Sequence, residues 1–116
     1  MIRTFKFDYD SENDDLFLYD PKSKSKASIE LDDVIVDFNS NNEVSAIEIM
    51  NASSFLKDVS QGFQHAWLNE MTGSKVDIIV KENFLVIKMI LVFRAGEIIT
   101  LLMIPTITKT SPALKI

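Results

Sequence analysis

The sequence predicts an α+β fold made of an antiparallel β meander, one or two central helices and a long C-terminal β hairpin. Three observations predict it. Apolar and polar residues alternate in short runs between turn residues over positions 1–50, which is typical of strands. Between Ala52 and Met71 the apolar spacing becomes three and four residues, which is typical of a helix. Two strongly apolar runs around a short turn then follow within 75–105.

The meander is predicted to have five strands separated by polar turns. In the first strand, Phe5, Phe7 and Tyr9 fall on one face because side chains alternate along a strand. Asp, Asn and Ser supply the turns, since their side chains bond the local backbone. The predicted strands are Arg3–Tyr9, Leu16–Tyr19, Ala27–Leu31, Val34–Phe38 and Val44–Met50.

The helical segment is predicted over residues 51–72. Asn51 is a plausible N-cap because its side chain can accept from the first free backbone N–H groups. Gly62 weakens the middle, since glycine costs about 1 kcal/mol against alanine in a helix, and Ser60 could cap a fresh start. One long helix and two short ones both remain open. Gly73, which tolerates positive φ, ends the segment.

The second β region is predicted over residues 75–105. Its long strand runs from Phe84 to Phe93, and Arg94–Glu97 form the turn of the C-terminal hairpin. Pro105 ends the last strand because it has no N–H to donate. The other predicted strands are Val76–Lys81 and Ile98–Ile104, and residues 106–116 form a tail.

Length and composition predict a single domain over residues 1–116. The chain has 47% hydrophobic and 25% charged residues, which is ordinary globular usage and excludes disordered and collagen-like classes. A chain of 116 residues lies within the size of one domain, roughly 100–150 residues. Within that domain we distinguish an acidic meander over 1–50, the helical segment, the apolar β region and the tail.

Charge is unevenly distributed along the chain. The net charge is −5, and residues 1–60 carry 6 basic and 13 acidic side chains, whereas residues 61–116 carry 6 basic and 4 acidic ones. Nucleic acid is not expected as a ligand, because phosphate binders normally present a basic patch. An acidic first half instead favours a basic partner, since complementary charge steers association.

The chain is predicted to be cytoplasmic and not to enter a membrane. It contains 0 cysteines, which fits a reducing compartment and excludes a disulfide framework or a Cys-based zinc site. The first residues lack the apolar core of a signal peptide. The most apolar stretch, Phe84–Ile104, is interrupted by Lys88, Arg94 and Glu97, so it does not qualify as a membrane span.

The long strand and the strand that follows it are apolar on both faces, with Lys88 as the interruption. A strand that is apolar on both sides needs cover on both. The helix can cover one face, and the other then forms an exposed patch of the kind that marks an interface. We therefore predict a homo-oligomer, and the alternative is a central strand that is buried on both faces within a monomer. The candidate interface residues are Phe84, Val86, Ile90, Val92, Ile99, Leu101 and Met103.

The sequence predicts no metal site and no cofactor. The acidic run beginning at Asp8 can be set on the first ligand positions of an EF-hand loop. That frame places Asn13 where glycine is needed and Tyr19 where a bidentate Glu is needed. The run is better explained as a solvated turn.

No catalytic residue is predicted either. Glu30, Asp37 and Glu48 lie on predicted strands, and whether they converge as paired carboxylates stays open. His65 is expected at the surface, and no Gly-x-Ser-x-Gly nucleophile elbow accompanies it. Trp67 lies on the apolar stripe and is expected to anchor the core.

The first half resembles the prokaryotic domain of unknown function 2283 family over roughly residues 5–56. The matching segments are Tyr9–Leu18, Ser28–Leu31, Val34–Asn39, Val44 and Ile47–Ser53. The order and spacing of the family pattern hold, while Asn42 and Ala46 replace its two glycines. Asn tolerates positive φ and Ala does not, so a different strand bend is expected near Ala46.

The resemblance implies a small β meander followed by a helix, without accepted catalytic residues. The family-pattern residues of unknown role are Tyr9, Asp10, Asp14, Asp37 and Glu48. Some members of the family are encoded beside small toxin-like proteins, which implies an antitoxin-like or regulatory partner role.

These observations together predict a non-enzymatic protein that acts through protein–protein contacts, at least with itself. One alternative is an antitoxin-like or regulatory partner of a small basic protein. Another alternative is a small-molecule or metal-assisted enzyme that uses the carboxylates of the first half.

Overall fold

The computed structural model describes residues 2–105, which form eight strands, one α-helix and one 3₁₀ helix. All eight strands join one antiparallel sheet in the order β3-β4-β5-β2-β1-β6-β7-β8. The elements are β1 Arg3–Asp10, β2 Asp15–Tyr19, β3 Ala27–Leu31, β4 Val34–Phe38, β5 Val44–Ile49, α1 Ala52–Val59, the 3₁₀ helix His65–Glu70, β6 Met71–Val80, β7 Phe84–Phe93 and β8 Gly96–Pro105.

The predicted α+β class is wrong, because the fold is mostly β. Strands hold 57% of the described residues and helices 13%. The sheet curls into an open half-barrel instead of packing its strands around central helices. The two short helices cover part of the concave side with Leu56 and Leu68, both of which are buried in the core.

The predicted helical segment over 51–72 is the main source of that error. Helix α1 ends at Val59, and Ser60 is extended with φ −146°. The chain then forms a 3₁₀ helix and enters β6 at Met71, so the predicted helix end at Gly73 lies inside a strand. Of the two alternatives left open, the segment forms two short helices, of which the first is α and the second is 3₁₀.

An aromatic cluster explains why apolar residues keep a helix-like spacing in the sequence beyond the end of α1. Phe63 and Trp67 meet edge to face with ring centroids 5.7 Å apart, and both contact Phe93 of β7 at 6.2 and 5.8 Å. Their spacing of four residues arises from packing across one end of the sheet and not from α-helical geometry. Trp67 therefore anchors the core, as predicted.

The strands of the first half were predicted well, but their order is not that of a simple meander. β2 pairs with β5, and the β3–β4 hairpin lies outside β5. The polar segment between Tyr19 and Ala27 is long enough to carry the chain past β5. On β1 the predicted face is confirmed, since Phe5 is buried and Phe7 and Tyr9 pack against the core.

The second half is a three-stranded antiparallel unit and not a hairpin alone. β7 has the predicted bounds, and it pairs with β6 on one side and β8 on the other. The predicted four-residue turn is shorter, because Gly96 pairs with Phe93 and only Arg94 and Ala95 lie between them. β6 begins five residues earlier than the predicted strand at Val76.

Within residues 2–105, no helix is long and apolar enough to cross a membrane. The predicted tail over residues 106–116 lies outside the described residues.

Candidate functional site

The sheet register brings the seven predicted interface residues onto one face of β7 and β8. Val86 lies opposite Met103, and Ile90 lies opposite Ile99, while Leu101 lies opposite Lys88. Because alternate side chains share a face, this face is continuous across both strands. We call it the outer apolar face, and it consists of Ile79 of β6 with Phe84, Val86, Ile90, Val92, Ile99, Leu101 and Met103.

Exposure on the outer apolar face is greatest along β8. Ile99, Leu101 and Met103 keep 51%, 56% and 60% of their surface accessible. The residues of β7 are more enclosed by their neighbours, and Val86 retains only 9%. The accessible apolar surface is therefore concentrated at the β8 margin of the face.

Charged residues interrupt the outer apolar face at several positions, since Lys75 lies opposite Ile90 and Glu97 lies opposite Val92. Lys88 is half-buried on β7 and lies opposite Asp77 of β6. The neighbouring positions along β7 are apolar.

The two edges of the sheet differ in chemistry. β8 is a ten-residue edge strand whose charged residue is Glu97, near its start. β3 is a five-residue edge strand that carries Glu30 and lies between Lys26 and the Asp32-Asp33 turn. Short, charged edges resist pairing with another chain, whereas long apolar ones invite it. β8 is the edge without such protection.

The family-pattern residues Tyr9 and Asp14 form a network with Ser53. The Asp14 carboxylate accepts hydrogen bonds from the Ser53 hydroxyl at 2.6 Å and from the Ser53 backbone N–H at 3.1 Å. It also accepts from the Tyr9 hydroxyl at 2.6 Å. The Asp14 carbonyl accepts from the Ala52 N–H at 2.9 Å. Asp14 therefore caps α1 from another part of the chain.

The predicted N-cap residue, Asn51, does not cap the helix with its side chain. It takes a left-handed conformation with φ 51°, and its side chain makes no capping hydrogen bond. Asp14 itself is left-handed, with φ 54°, at the turn that leads into β2. The sequence signal that was missed is the pair of Asp14 and Ser53, which lie 39 residues apart.

His65 completes this network at the surface. It is exposed, as predicted, and its Nε2 lies 3.1 Å from the Tyr9 hydroxyl oxygen. Because the Tyr9 hydroxyl donates to Asp14, its oxygen accepts from His65. Burial and the bond to Asp14 raise the pKa of Tyr9. Burial alone would raise the pKa of Asp14, but the hydrogen bonds from Ser53 and Tyr9 outweigh it and lower that pKa.

Asp10 organises the β1–β2 turn. Its carboxylate accepts hydrogen bonds from the Asn13 side chain at 2.8 Å and from the Glu12 backbone N–H at 3.0 Å. The Asn13 side-chain bond is the main reason that the pKa of Asp10 is lowered. The acidic run is thus held as a turn by its own hydrogen bonds.

Of the three carboxylates predicted on strands, Asp37 and Glu48 lie close enough to interact, and Asp15 of β2 joins them. Glu48 is hydrogen-bonded to Asp15 of β2, and that bond, burial and the charges of Asp15 and Asp37 raise the pKa of Glu48 to about 7. Oδ1 of Asp15 is buried and has no hydrogen-bond partner in residues 2–105. Glu30 lies two strands from Glu48, beyond Ile35.

No group of three or more His, Asp or Glu side chains in residues 2–105 could hold a metal ion. Ser53 donates its hydroxyl proton to Asp14, and Tyr9 does the same. These hydroxyls are engaged as donors inside the network, which is the geometry of a structural contact.

Comparison with known proteins locates the recurring part of the chain. Residues 6–53 match the family model described as a protein of unknown function, DUF2283. The predicted resemblance is thereby confirmed for that segment. It spans β1 to the start of α1 and therefore includes both Asp14 and its partner Ser53.

Two curated archaeal proteins are similar to part of the chain. An uncharacterized protein of Methanocaldococcus jannaschii is 52% identical over 48 residues, which is 41% of each chain. A Methanosarcina mazei protein provisionally named a hypoxanthine phosphoribosyltransferase is 45% identical over 49 residues, 42% of this chain and 40% of that one. The chain thus spans about two fifths of the length of the curated relatives it matches. No solved structure matches.

Proposed function

We propose that this chain is a non-enzymatic cytoplasmic protein that acts through protein–protein contacts and associates with a second copy through the outer apolar face. The observation that carries the proposal is the exposure of Ile99, Leu101 and Met103, each more than half accessible, in one row. Monomeric proteins rarely leave contiguous apolar patches open to water.

The dimensions of the face suit a second copy. β6, β7 and β8 have ten residues each. At about 3.3 Å per residue and about 4.8 Å between strands they cover roughly 470 Å². Two such faces stacked about a two-fold axis bury roughly 940 Å² in total, close to the roughly 1,000 Å² expected of a specific interface. Face-to-face stacking of sheets is a common packing mode.

A single charge at the centre of this face tests the proposal. In Ile99→Lys, we expect the dissociation constant of the dimer to rise at least tenfold, because each two-fold contact places two lysines in an apolar interface. Sedimentation equilibrium measures the change. The matched control is Val59→Lys, which alters another exposed apolar residue, 42% accessible, at the end of α1.

The outcome that contradicts the proposal is equally clear. A wild-type protein that remains monomeric at high micromolar concentration would remove self-association. An Ile99→Lys variant that dimerises as well as wild type would move the interface away from this face.

A second candidate function is binding of a small basic protein in the manner of an antitoxin or regulator. The segment 6–53 supports it, since it carries 12 acidic and 4 basic side chains. Such binding weakens as ionic strength rises, because exposed charges are screened. Binding to a basic partner that is unaffected by salt would contradict it.

The enzyme alternatives receive less support. The family-matched segment 6–53 contains 0 glycines, so it holds no glycine-rich phosphate loop. The name of that relative is therefore not extended to this chain. Among the first-half carboxylates, Asp14 accepts from Ser53 and Tyr9, Asp10 accepts from Asn13, and Glu48 is engaged with Asp15.

A further inference from the structure

A groove lies between the free edge of β8 and the β3–β4 turn. It has a volume of about 360 Å³ and is lined by Leu101–Met103 of β8, Leu31–Val34 and the residues Ser54, Phe55 and Asp58 of α1. Consecutive side chains of a strand point to opposite faces. Three consecutive residues line one groove only where the groove runs along the edge of the strand. The groove therefore borders the backbone edge of β8.

Its lining combines an apolar base with acidic margins. Leu31, Phe55 and Leu102 are half-buried and pack against the core. Asp32, Asp33 and Asp58 are exposed around them, and among residues 2–105 no lysine or arginine lines this groove.

The geometry points to this groove as a docking site for an extended, basic segment of a partner protein, which would add a strand to the edge of β8. Strand addition satisfies the outward N–H and C=O groups of an edge strand, while alternate side chains occupy pockets. Here one set of side chains would meet Leu31, Phe55 and Leu102. Lysine or arginine side chains of the segment would reach the three aspartates.

Charge complementarity selects a basic partner over a second copy at this groove. β8 itself carries Glu97 and no basic residue, so an edge-to-edge pair of β8 strands would supply no cation to the aspartates. The inference rests on the second candidate function, a basic partner, and names its surface. The groove shares Leu101 and Met103 with the outer apolar face, whereas Asp32 and Asp58, the two residues changed in the test, lie outside that face.

A synthetic peptide provides the test. The probe is an eight-residue fluorescent peptide of alternating valine and lysine, and binding to the full-length protein is followed by fluorescence anisotropy. We expect a dissociation constant that rises at least tenfold in Asp32→Lys and in Asp58→Lys. The control is Asp8→Lys, which makes the same charge change at an exposed position of β1 outside the groove lining.

A second probe tests the strand geometry. The same peptide with alternate backbone nitrogens methylated keeps its charge but loses the N–H donors that pair with an edge strand. We expect its binding to weaken at least tenfold. Circular dichroism of each variant confirms that the fold is kept.

The outcomes distinguish docking of the peptide in the groove from general attraction between the basic peptide and the acidic protein. Peptide binding that Asp8→Lys weakens as much as Asp32→Lys, or that methylation leaves unchanged, overturns the groove proposal while a basic partner stands. Absence of binding by the lysine peptide at low ionic strength overturns the groove proposal and counts against the basic partner as well.

Discussion

At the scale of single residues, the family pattern corresponds to contacts that hold the first half together. Tyr9, Asp14 and Ser53 meet at one point although they come from β1, the following turn and α1. Their polar atoms bond one another, which gives these three residues a role in holding the fold together. Replacing Tyr9, Asp14 or Ser53 should therefore lower the free energy of unfolding.

Replacing Asp14 by alanine tests this explanation. The substitution removes the carboxylate that accepts from Ser53 and Tyr9. Loss of a charged cap and of buried hydrogen bonds costs about 2–3 kcal/mol of unfolding free energy. Urea denaturation at pH 7 measures it, with Asp8→Ala as the exposed control. Equal stability of the two variants would contradict a capping role.

The lowered pKa of Asp14 determines how the stability difference between wild type and Asp14→Ala depends on pH. A carboxyl whose folded pKa is depressed contributes stability above its unfolded pKa and loses it as pH falls through the folded value. The contribution of Asp14 should therefore be complete above its ordinary pKa of 3.8. The stability gap between wild type and Asp14→Ala should narrow when denaturation is repeated at pH values below 3.

Glu48 should show the opposite dependence. Its pKa rises from 4.5 to about 7 because of its bond to Asp15, burial and the nearby Asp37. The folded state then holds a proton that the unfolded state has lost, so stability falls as pH rises from about 4.5 to about 7. At pH 8, after allowance for solvent screening, the free energy of unfolding of Glu48→Gln should exceed that of wild type by about 1–2 kcal/mol. Near pH 4 the two proteins should be equally stable.

The matched control for Glu48 lies on the same face of the sheet. Glu30→Gln changes an exposed residue two strands away and should leave the pH profile of unfolding unchanged. Denaturant midpoints between pH 4 and 8 provide the comparison. A Glu48→Gln variant whose profile keeps the wild-type slope would show that this carboxyl is ionised throughout.

At the scale of elements, the strands were readable from the sequence and the helices were not. The bounds of β7 could be predicted because its residues form a continuous apolar run between turn residues. Such a run is typical of a strand that is packed or apolar on both faces. The helical spacing from Ala52 to Met71 had two causes, a short helix and an aromatic cluster around Phe93. Periodicity alone cannot separate them, because Phe63 and Trp67 gain their neighbours from a distant strand.

The same limit applies to the candidate sites. The seven predicted residues of the outer apolar face could be chosen because side-chain alternation is local. The convergence of Asp14 with Ser53, and of Asp15 with Glu48, depends on which strands pair. Since β2 pairs with β5 and not with β3, these contacts follow from a strand order that the sequence left open.

The β7–β8 turn yields a prediction for an element. Gly96 has φ 149°, a conformation that side-chain-bearing residues rarely adopt. Gly96→Ala should therefore lose about 1–3 kcal/mol of unfolding free energy through backbone strain. Gly62→Ala is the matched control, because an added Cβ there meets nothing within 4 Å and φ is not positive. Equal midpoints in urea for both variants would contradict the strain.

At the scale of the whole molecule, two groups of strands share one short junction. β1 joins β6 through three register pairs, Arg3 with Val76, Thr4 with Lys75 and Phe5 with Ser74. This junction connects the part of the chain that recurs in its relatives to the part that carries the outer apolar face. The Ser74 hydroxyl reinforces it by donating to the Phe5 carbonyl at 2.8 Å within the core.

Cooperative folding of the molecule should therefore depend on Ser74. In Ser74→Ala the Phe5 carbonyl loses that donor, and we expect a loss of about 1–2 kcal/mol, because a buried hydrogen bond is removed and a small void remains. Ser54→Ala, at an exposed position of α1, should change stability by less than about 0.5 kcal/mol.

The β1–β6 junction also predicts which spectroscopic signals report the loss of stability in Ser74→Ala. Trp67 fluorescence reports on the 3₁₀ helix and its contact with β7, whereas far-ultraviolet circular dichroism reports on all eight strands. If the two strand groups unfold as one unit, both signals should shift to the same lower urea midpoint in Ser74→Ala. Midpoints that separate in the variant would mean that the junction, and not the individual groups, supplies the cooperativity. A wild-type protein whose two signals already disagree would contradict a single cooperative unit.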